Sequence, residues 1–470
     1  MSVQSSRTAR TATNLSRRSL VAGAAGASAA LLATGGGVLG APSARYGNRQ
    51  ILLQDKTELV FTYWGSPQEQ DAVKKMVEDF NSKHDNINVK PQYVPNDGYE
   101  EKMTTMLAGG NPPDIAYMGA GMAWQWAMDG KTLDLKQWVD ADEETSTLLP
   151  NTTYTYDDGK VMSTSLAISN MLMYYNRKLF ADAGVDAPPV TGETAWTWDQ
   201  FVEVAKQLTK DSSGKTPNDE GFDASKISTY GVSYGAWWLE PVWSAGGDVA
   251  SEDGKTFTLN SPEAVDAFQK LQDLIYVHHV APTPAAAESL PSTDILMRTG
   301  KLAMDINGMW KVLDYSNSKN LDWGMGVSPI IKTPITRLFG IPIIVSATVK
   351  NPDAAYEFYR WRYSPERIDL YAKGLWMPLP KAYYTEPDKI KEWLDPSKGV
   401  FPEEAHQVLI DYSLKYSPKQ LPDYWLKNQK QINTEAINPA LTSLWANEGT
   451  AKDLLDKAAQ VAAPLMQGRY

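Results

Sequence analysis

Tryptophan side chains occur in this sequence where apolar segments give way to loops. Trp64 follows the apolar segment Leu59 to Tyr63, and Trp310 follows Asn307-Gly308-Met309 at the end of another. The whole chain has 16 Trp and 23 Tyr against 10 Phe. Trp and Tyr combine a large apolar ring face with a hydrogen-bonding edge, which suits wet ligands with apolar faces, such as sugars. Packing in a core is the alternative use of any single ring.

Two clusters of potential metal ligands lack the spacing that a metal site requires. The adjacent His278 and His279 would point about 100° apart on a helix, and no third ligand is close in the sequence. The acidic run Asp140 to Glu144 lacks the glycine turn and the spaced ligands of a calcium loop. We interpret the first as a helix end and the second as a solvated loop, and we expect no metal, no cofactor and no catalytic residue.

Composition excludes several other classes of function. The chain has no cysteine, so it has no disulfide, no thiolate metal site, no cysteine nucleophile and no lipidated cysteine. The formal net charge of -11 makes nucleic acid an unexpected partner, because phosphate contacts need a basic surface.

The first residues resemble a twin-arginine export leader. Arg17-Arg18 precede a Gly/Ala-rich apolar run from Leu20 to Leu39. We expect a signal peptide over 1–44, a linker over 45–57, and a mature protein that is periplasmic or at the cell surface and is not a lipoprotein. Pro42 is unfavourable for cleavage, so an uncleaved anchor is the alternative.

After position 57 the sequence alternates between strand and helix patterns. Leu59 to Tyr63, Ile87 to Tyr93 and Asp114 to Met118 have the pattern of strands, with helical spacing of apolar residues between them. The first helix has an apolar face made of Val73, Met76, Val77 and Phe80. This alternation predicts a parallel α/β sheet with right-handed crossovers.

The α/β pattern restarts after Ser165. A strand at Met171 to Tyr175 is followed by a helix with a capping box at Thr197 to Gln200, and later by a helix over Pro262 to Tyr276. The chain exceeds the ~250 to 300 residues at which a single core stops growing. We therefore expect at least two lobes.

Several short motifs occur in a characteristic order. The most specific is Gly300 to Trp310, and it is supported by Gly109 to Ile115, Met173 to Phe180, Gly246-Gly247 and Asn351 to Phe358. In this order they resemble the extracellular solute-binding proteins of ABC transporters, in the sugar-binding family that includes the maltose-binding protein. The resemblance covers nearly all of the chain after the leader.

The resemblance implies an α/β fold of the type II periplasmic-binding-protein class, with a ligand cleft between two lobes. In that family the chain crosses between the lobes three times, and the lobes close on the ligand. For this sequence we expect an N-terminal lobe from 58–167 plus 307–352 and a C-terminal lobe from 168–306 plus 353–470.

The resemblance also implies a function. The protein would be the substrate-binding component of an ABC importer, a monomer without catalysis of its own, that captures a mono- or oligosaccharide and delivers it to membrane permease subunits. The mature chain would not insert into the membrane. Met118 to Gly121 and Ser169 stand where the maltose-binding protein has several carboxylates, so maltose specificity is not implied.

Two alternatives remain open. A secreted glycoside hydrolase would also use aromatic rings, together with paired carboxylates. A binder of a non-sugar solute, such as a polyol phosphate, is the other alternative. The acidic net charge argues against an anionic ligand, although Arg298 or Arg337 could attract one.

The candidate ligand-contacting residues lie in the loops that match this family. Trp310 occupies the position where relatives stack a ring on sugar, and Gly308 lets the backbone approach closely. One or two of the clustered Trp237, Trp238 and Trp243 are expected to face the cleft. The full set is Trp64, Gln68, Glu69, Asn170, Trp237, Trp238, Glu240, Trp243, Asn307, Gly308, Trp310, Trp376 and Trp425.

Overall fold

The computed structural model describes residues 56–149, 152–156, 159–234, 237–364, 367–417 and 426–470. The predicted signal peptide, nearly all of the predicted linker and Trp425 lie outside the described residues. The first strand begins at Thr57, the last position of the predicted linker. Among the described residues, no helix is both long enough and apolar enough to cross a membrane.

The strands of the described chain form two sheets. They are β1 (Thr57–Tyr63), β2 (Ile87–Tyr93), β3 (Ile115–Tyr117), β4 (Thr153–Tyr156), β5 (Lys160–Ser169), β6 (Met171–Asn176), β7 (Lys210–Asp211), β8 (Ile227–Ser233), β9 (Leu302–Gly308), β10 (Trp323–Gly326) and β11 (Phe339–Val345).

Helices cover both sheets. They are α1 (Pro67–Lys83), α2 (Tyr99–Ala108), α3 (Ala120–Met128), α4 (Lys136–Ala141), α5 (Arg177–Ala183), α6 (Trp198–Leu208), α7 (Leu239–Ala245), α8 (Pro262–Tyr276), α9 (Pro284–Ser289), α10 (Thr293–Arg298), α11 (Lys311–Ser316), α12 (Pro352–Trp361), α13 (Ile368–Ala372), α14 (Ala382–Thr385), α15 (Pro387–Trp393), α16 (Tyr412–Tyr416), α17 (Gln429–Ile432), α18 (Asn438–Trp445) and α19 (Ala451–Ala462).

The first sheet has the strand order β2-β1-β3-β11-β5-β4. β1 is parallel to β2 and β3, whereas β11 runs antiparallel to both β3 and β5. The predicted apolar face of α1 is confirmed, since Val73, Met76, Val77 and Phe80 are all buried. Phe80 and Phe61 both meet Phe358 of α12 edge to face, with ring centroids 5.0 and 5.1 Å apart.

The second sheet has the strand order β10-β6-β9-β8-β7. β8 and β9 are parallel, and β6 lies antiparallel between β9 and β10. The predicted capping box is present at the start of α6, where Thr197 and Gln200 bond reciprocally. Ser261 caps α8 and Pro262 occupies its first turn, as the sequence indicates.

The strand pairing differs from the expected lobe boundaries in two places. β10 lies within 307–352, which was expected in the N-terminal lobe, yet it pairs with β6 in the second sheet. α12 was expected in the C-terminal lobe, yet it packs on the first sheet through Phe358. A sequence motif shows where an element lies along the chain. The sheet to which the element belongs is determined by strands and helices that are remote in the sequence.

Close packing between α6 and β8 provides a test of the second sheet. A Cβ at Gly231 would overlap the carbonyl oxygen of Ala205 and lie 2.6 Å from Oγ1 of Thr209. We expect Gly231→Ala to lower the free energy of unfolding by about 1–3 kcal/mol, measured by urea denaturation, because α6 must move off the sheet. Gly449→Ala is the control, since its Cβ would meet only the Leu454 side chain, at 3.2–3.5 Å. Equal losses in both variants would contradict this packing.

Candidate functional site

The two sheets are joined at Asn170, which separates β5 from β6. Asn170 is fully buried, and its side-chain nitrogen donates to Val408 O at 3.3 Å and to Ser413 Oγ at 2.8 Å. The backbone N–H of Met309 donates to Asn170 O at 3.0 Å. The structure thus places Asn170 where it connects three chain segments and fixes the loop that follows β9.

A first aromatic group lies at the end of the first sheet and consists of Trp64, Tyr99, Tyr117 and Trp376. The Trp64 ring is 4.7 Å from Tyr99 and 5.4 Å from Tyr117, and Tyr117 is 6.1 Å from Trp376, all edge to face. The Tyr99 hydroxyl donates to the carbonyls of Thr62 and Tyr117, which fixes the group to β1 and β3. Trp64 remains partly exposed, whereas Trp376 is 7% exposed.

A second aromatic group consists of Trp237, Trp310 and Phe339. Trp310 lies 5.4 Å from Trp237 and 6.0 Å from Phe339, measured between ring centroids. A Cβ at Gly308 would overlap the ring carbons of Trp310, so only glycine lets this ring fold back over the end of β9. Trp237 and Trp310 are both partly exposed.

The other two clustered tryptophans pack within the protein. Trp238 lies 5.3 Å from Phe268 of α8, and Trp243 is 7% exposed and donates from Nε1 to Asp248. Of the three candidates, Trp237 is therefore the one that joins the second aromatic group. Helical spacing alone did not distinguish them.

A hydrogen bond connects the chain segments that carry the two aromatic groups. Ser66, just after β1, donates from Oγ to Oδ1 of Asp314 at 3.1 Å. Asp314 lies on α11, which follows β9 of the second sheet, and its Oδ2 pairs with Lys311 Nζ at 2.8 Å. Ser66 is two residues after Trp64 and Lys311 is one residue after Trp310, so this hydrogen bond and ion pair connect the segments that carry the two rings.

Gln68 and Glu69 lie in the first turn of α1, directly after Ser66. The Glu69 side chain folds back over Gly65, where a Cβ would lie 2.5 Å from the carboxyl group. Burial raises the pKa of Glu69 to about 8, and the negative charge of Asp314 adds to the shift. At neutral pH Glu69 therefore carries a proton and can donate a hydrogen bond. Gln68 forms no side-chain hydrogen bond within the described part of the chain.

The remaining polar candidates have protein partners. Asn307 accepts from the backbone N–H of Gly308 at 2.9 Å and donates to Asp305 at 3.2 Å. Glu240 has a side chain only 4% exposed, and its Oε1 lies 3.2 Å from Nε of Arg337.

Several residues of the site were not among the sequence candidates. Tyr117 ends β3, so the rule that ligands bind beyond the carboxyl ends of strands could have found it. Phe339 could not have been found in that way, because it begins β11, and its position depends on pairing with Ser169.

The histidine pair lies at a helix end, as predicted, whereas the acidic run is not simply a solvated loop, because the Asp142 side chain is only 7% exposed. His279 lies just past the end of α8 with φ of 55°. Asp142 accepts from the hydroxyls of Tyr356 and Tyr363 and pairs with Arg360. No group of three or more potential ligands within the described ranges could hold a metal ion.

Comparison with known proteins identifies the family. Residues 64–367 match the bacterial extracellular solute-binding protein family. The chain belongs to this family. The solute-binding protein shares its fold with an ABC substrate-binding protein of Listeria monocytogenes, at a TM-score of 0.73 and 24% identity, over 86% of this chain and 98% of that one. The GacH receptor of Streptomyces glaucescens has a TM-score of 0.69 at 19% identity, over 88% and 100% of the two chains.

Curated relatives match over a smaller part of the chain. A putative binding protein of Brucella abortus is 24% identical over 292 residues, which is 61% of this chain and 66% of the relative, just under two thirds. An arabinooligosaccharide-binding protein of Halalkalibacterium halodurans is 24% identical over 326 residues, or 66% of this chain and 67% of the relative. The predicted type II periplasmic-binding-protein fold of this solute-binding protein is confirmed by the two sheets and by the structural neighbours.

The protonated state of Glu69 gives a pH dependence with a defined sign. Folding raises the pKa of Glu69 from 4.5 to about 8. The contribution of Glu69 to the free energy of unfolding is therefore fully present below pH 4.5 and is lost as the pH rises through 8. The amide of Glu69→Gln stays neutral at every pH. We therefore expect the melting temperature of this variant to rise relative to that of the wild type as the pH is raised from 5 to 9. Glu101→Gln, on the exposed face of α2, should follow the wild-type curve. A constant difference between wild type and Glu69→Gln across this range would contradict the assignment.

Proposed function

We propose that this protein is the substrate-binding component of an ABC importer and captures a mono- or oligosaccharide in the cleft between its two sheets. The observation that carries the proposal is the pair of aromatic groups joined across the opening by Ser66 and Asp314. Membrane permease subunits would then receive the sugar. The binding protein acts as a monomer in this proposal.

The chemistry of the cleft suits a sugar. The apolar faces of a pyranose or furanose ring stack on Trp310 and Trp64, which are partly exposed. The hydroxyls meet Gln68, whose amide has no hydrogen-bond partner among the described residues, and Glu69, which can donate while it is protonated. Closure of the cleft would exclude water and strengthen these hydrogen bonds. Bending would occur where the chain links the two sheets, at 169–171 and 336–339.

The names of relatives support a carbohydrate. One curated relative is an arabinooligosaccharide-binding protein, and the structural neighbours from Listeria monocytogenes and Streptomyces glaucescens are described in complex with cycloalternan and with acarbose. The family is one of binding proteins, so we propose that the chain has no catalytic activity. The two oxygens of Asp314, the carboxylate that faces Glu69, are held by Ser66 and Lys311, which suits a structural role for Asp314.

Trp310 is the principal stacking ring in this proposal. Thermal shift with a panel of neutral sugars identifies a ligand, since binding at 100 times the dissociation constant adds about 2.7 kcal/mol of stability. We expect Trp310→Ala to weaken binding of that sugar about tenfold to hundredfold in calorimetric titration, as the loss of a ring face worth roughly 1–3 kcal/mol requires.

Trp138→Ala is the matched control for this measurement. Trp138 is also a partly exposed ring; it stacks on Tyr356 of the first sheet's helical layer and donates from Nε1 to Asp353. Its removal should lower the melting temperature and leave the sugar affinity unchanged. A Trp310→Ala protein that binds the sugar as the wild type does would refute stacking on this ring.

Export through the twin-arginine route, with removal of residues 1–44, completes the proposal. It rests on Arg17-Arg18 ahead of the apolar run from Leu20 to Leu39. Replacing both arginines by lysine should leave the precursor in the cytoplasm, as detected by fractionation and immunoblotting. A variant that carries lysine only at Arg10 is the control, and export of the double variant at the wild-type level would contradict the route.

A further inference from the structure

Arg337 lies on the segment that leads from the second sheet into β11, beside the second aromatic group. The preceding residue, Thr336, is bonded through Oγ1 to the backbone of β6. The guanidinium carbon is 4.2 Å from the ring centroid of Phe339 and 5.8 Å from that of Trp237. Stacking of this kind holds the plane of a guanidinium in one orientation. The aromatic group that carries Trp310 therefore also presents Arg337.

The terminal nitrogens of Arg337 have unused hydrogen-bonding capacity. A guanidinium has five N–H donors. Within the described ranges, the Arg337 side chain forms the ion pair with Glu240 through Nε and no hydrogen bond. Nε is buried, whereas the side chain as a whole is 15% exposed. The four N–H groups on the two terminal nitrogens thus have no partner among the described residues and could bind a ligand.

Glu240 balances the charge of Arg337. Its Oε1 lies 3.2 Å from Nε, and its side chain is only 4% exposed, so solvent screens the pair poorly. No other acidic side chain of the described chain lies within ion-pair distance of Arg337. The pair therefore presents donors to the cleft without presenting a net positive charge.

We propose that Arg337 determines ligand specificity by donating from its two terminal nitrogens to adjacent hydroxyls of an uncharged sugar, while Glu240 cancels the charge that would attract an anionic solute. This inference rests on the proposed function and specifies the substrate class of the same cleft. It selects against solutes such as uronic acids and polyol phosphates.

The physical reason is the cost of desolvating an anion. A carboxylate or phosphate that enters the cleft loses its hydration free energy. An arginine that is already paired with a buried carboxylate compensates for only a small part of that loss. A neutral hydroxyl pair loses less hydration and accepts charge-assisted hydrogen bonds from the same nitrogens. The same arginine without Glu240 would favour the anion.

The test compares neutral sugars with the matching acids in calorimetric titration. The probes are glucose with glucuronate, galactose with galacturonate, and maltotriose and arabinotriose as neutral oligosaccharides. Arg337→Met keeps an unbranched apolar stem against Phe339 but removes every donor. Glu240→Gln keeps the shape of the side chain and removes its charge.

We expect the wild type to bind a neutral sugar at least about tenfold more tightly than its acid, and Arg337→Met to bind that sugar about tenfold or more weakly. Glu240→Gln should lower the neutral-to-acid preference by about tenfold or more, and the gain for the acid should decline at high salt. Melting curves confirm that each variant is folded. If Glu240→Gln does not fold, Arg337→Lys is measured in its place. The Arg337→Lys protein should lose affinity for the neutral sugar and should still bind the acid poorly.

The possible failures are distinguishable. A neutral sugar that binds Arg337→Met as well as the wild type would overturn the role of Arg337 and leave the proposed function intact. A wild-type preference for the acid would overturn the substrate class, again with sugar binding intact. If none of the neutral or acidic sugars binds the wild type, both this inference and the proposed function are overturned.

Discussion

The backbone N–H of Met309 donates to the carbonyl of Asn170 at 3.0 Å and to Oγ of Ser169 at 3.1 Å, and the arrangement of the cleft depends on these bonds. They connect the end of β9 in the second sheet to the point where β5 passes into β6. Trp310 is the next residue after Met309, so its ring can occupy only a small range of positions. The same segment carries α11, whose Asp314 reaches Ser66 at the end of β1. The hydrogen bonds of the Met309 N–H thereby help to set the distance between Trp310 and Ser66, which are far apart in the sequence.

Local features of the fold could be predicted from the sequence because they depend on neighbouring residues. The apolar face of α1 follows from helical spacing, and the start of α6 follows from the Thr197 capping box. The lobe boundaries could not be predicted in the same way. β10 belongs to the second sheet because Trp323–Gly326 pairs with β6, some 150 residues earlier in the chain, and no local pattern contains that information.

In the candidate site, too, local features could be predicted from the sequence, and features that depend on residues far apart could not. Trp64 and Trp310 are predicted from their positions beyond strand ends, and in the structure both follow a strand and are partly exposed. Trp238 matched the same loop, but its ring packs on Phe268 of α8, because the turn into α7 directs successive side chains to different sides. The stacking of Arg337 on Phe339 depends on the pairing of β11 and could not be seen in the sequence.

The Arg337–Glu240 ion pair and the Ser66–Asp314 hydrogen bond suit different tasks because they differ in position. The Arg337 and Glu240 pair is largely enclosed by protein and holds the guanidinium in its orientation beside Phe339. The hydrogen bond from Ser66 to Asp314 links the segment after β1 of the first sheet to α11, which follows β9 of the second sheet. A hydrogen bond to a charged group contributes roughly 1.5–3 kcal/mol, which is small enough for the open state to remain populated. Polar contacts of this strength can be exchanged for contacts with a ligand, whereas a large apolar interface would cost far more to open.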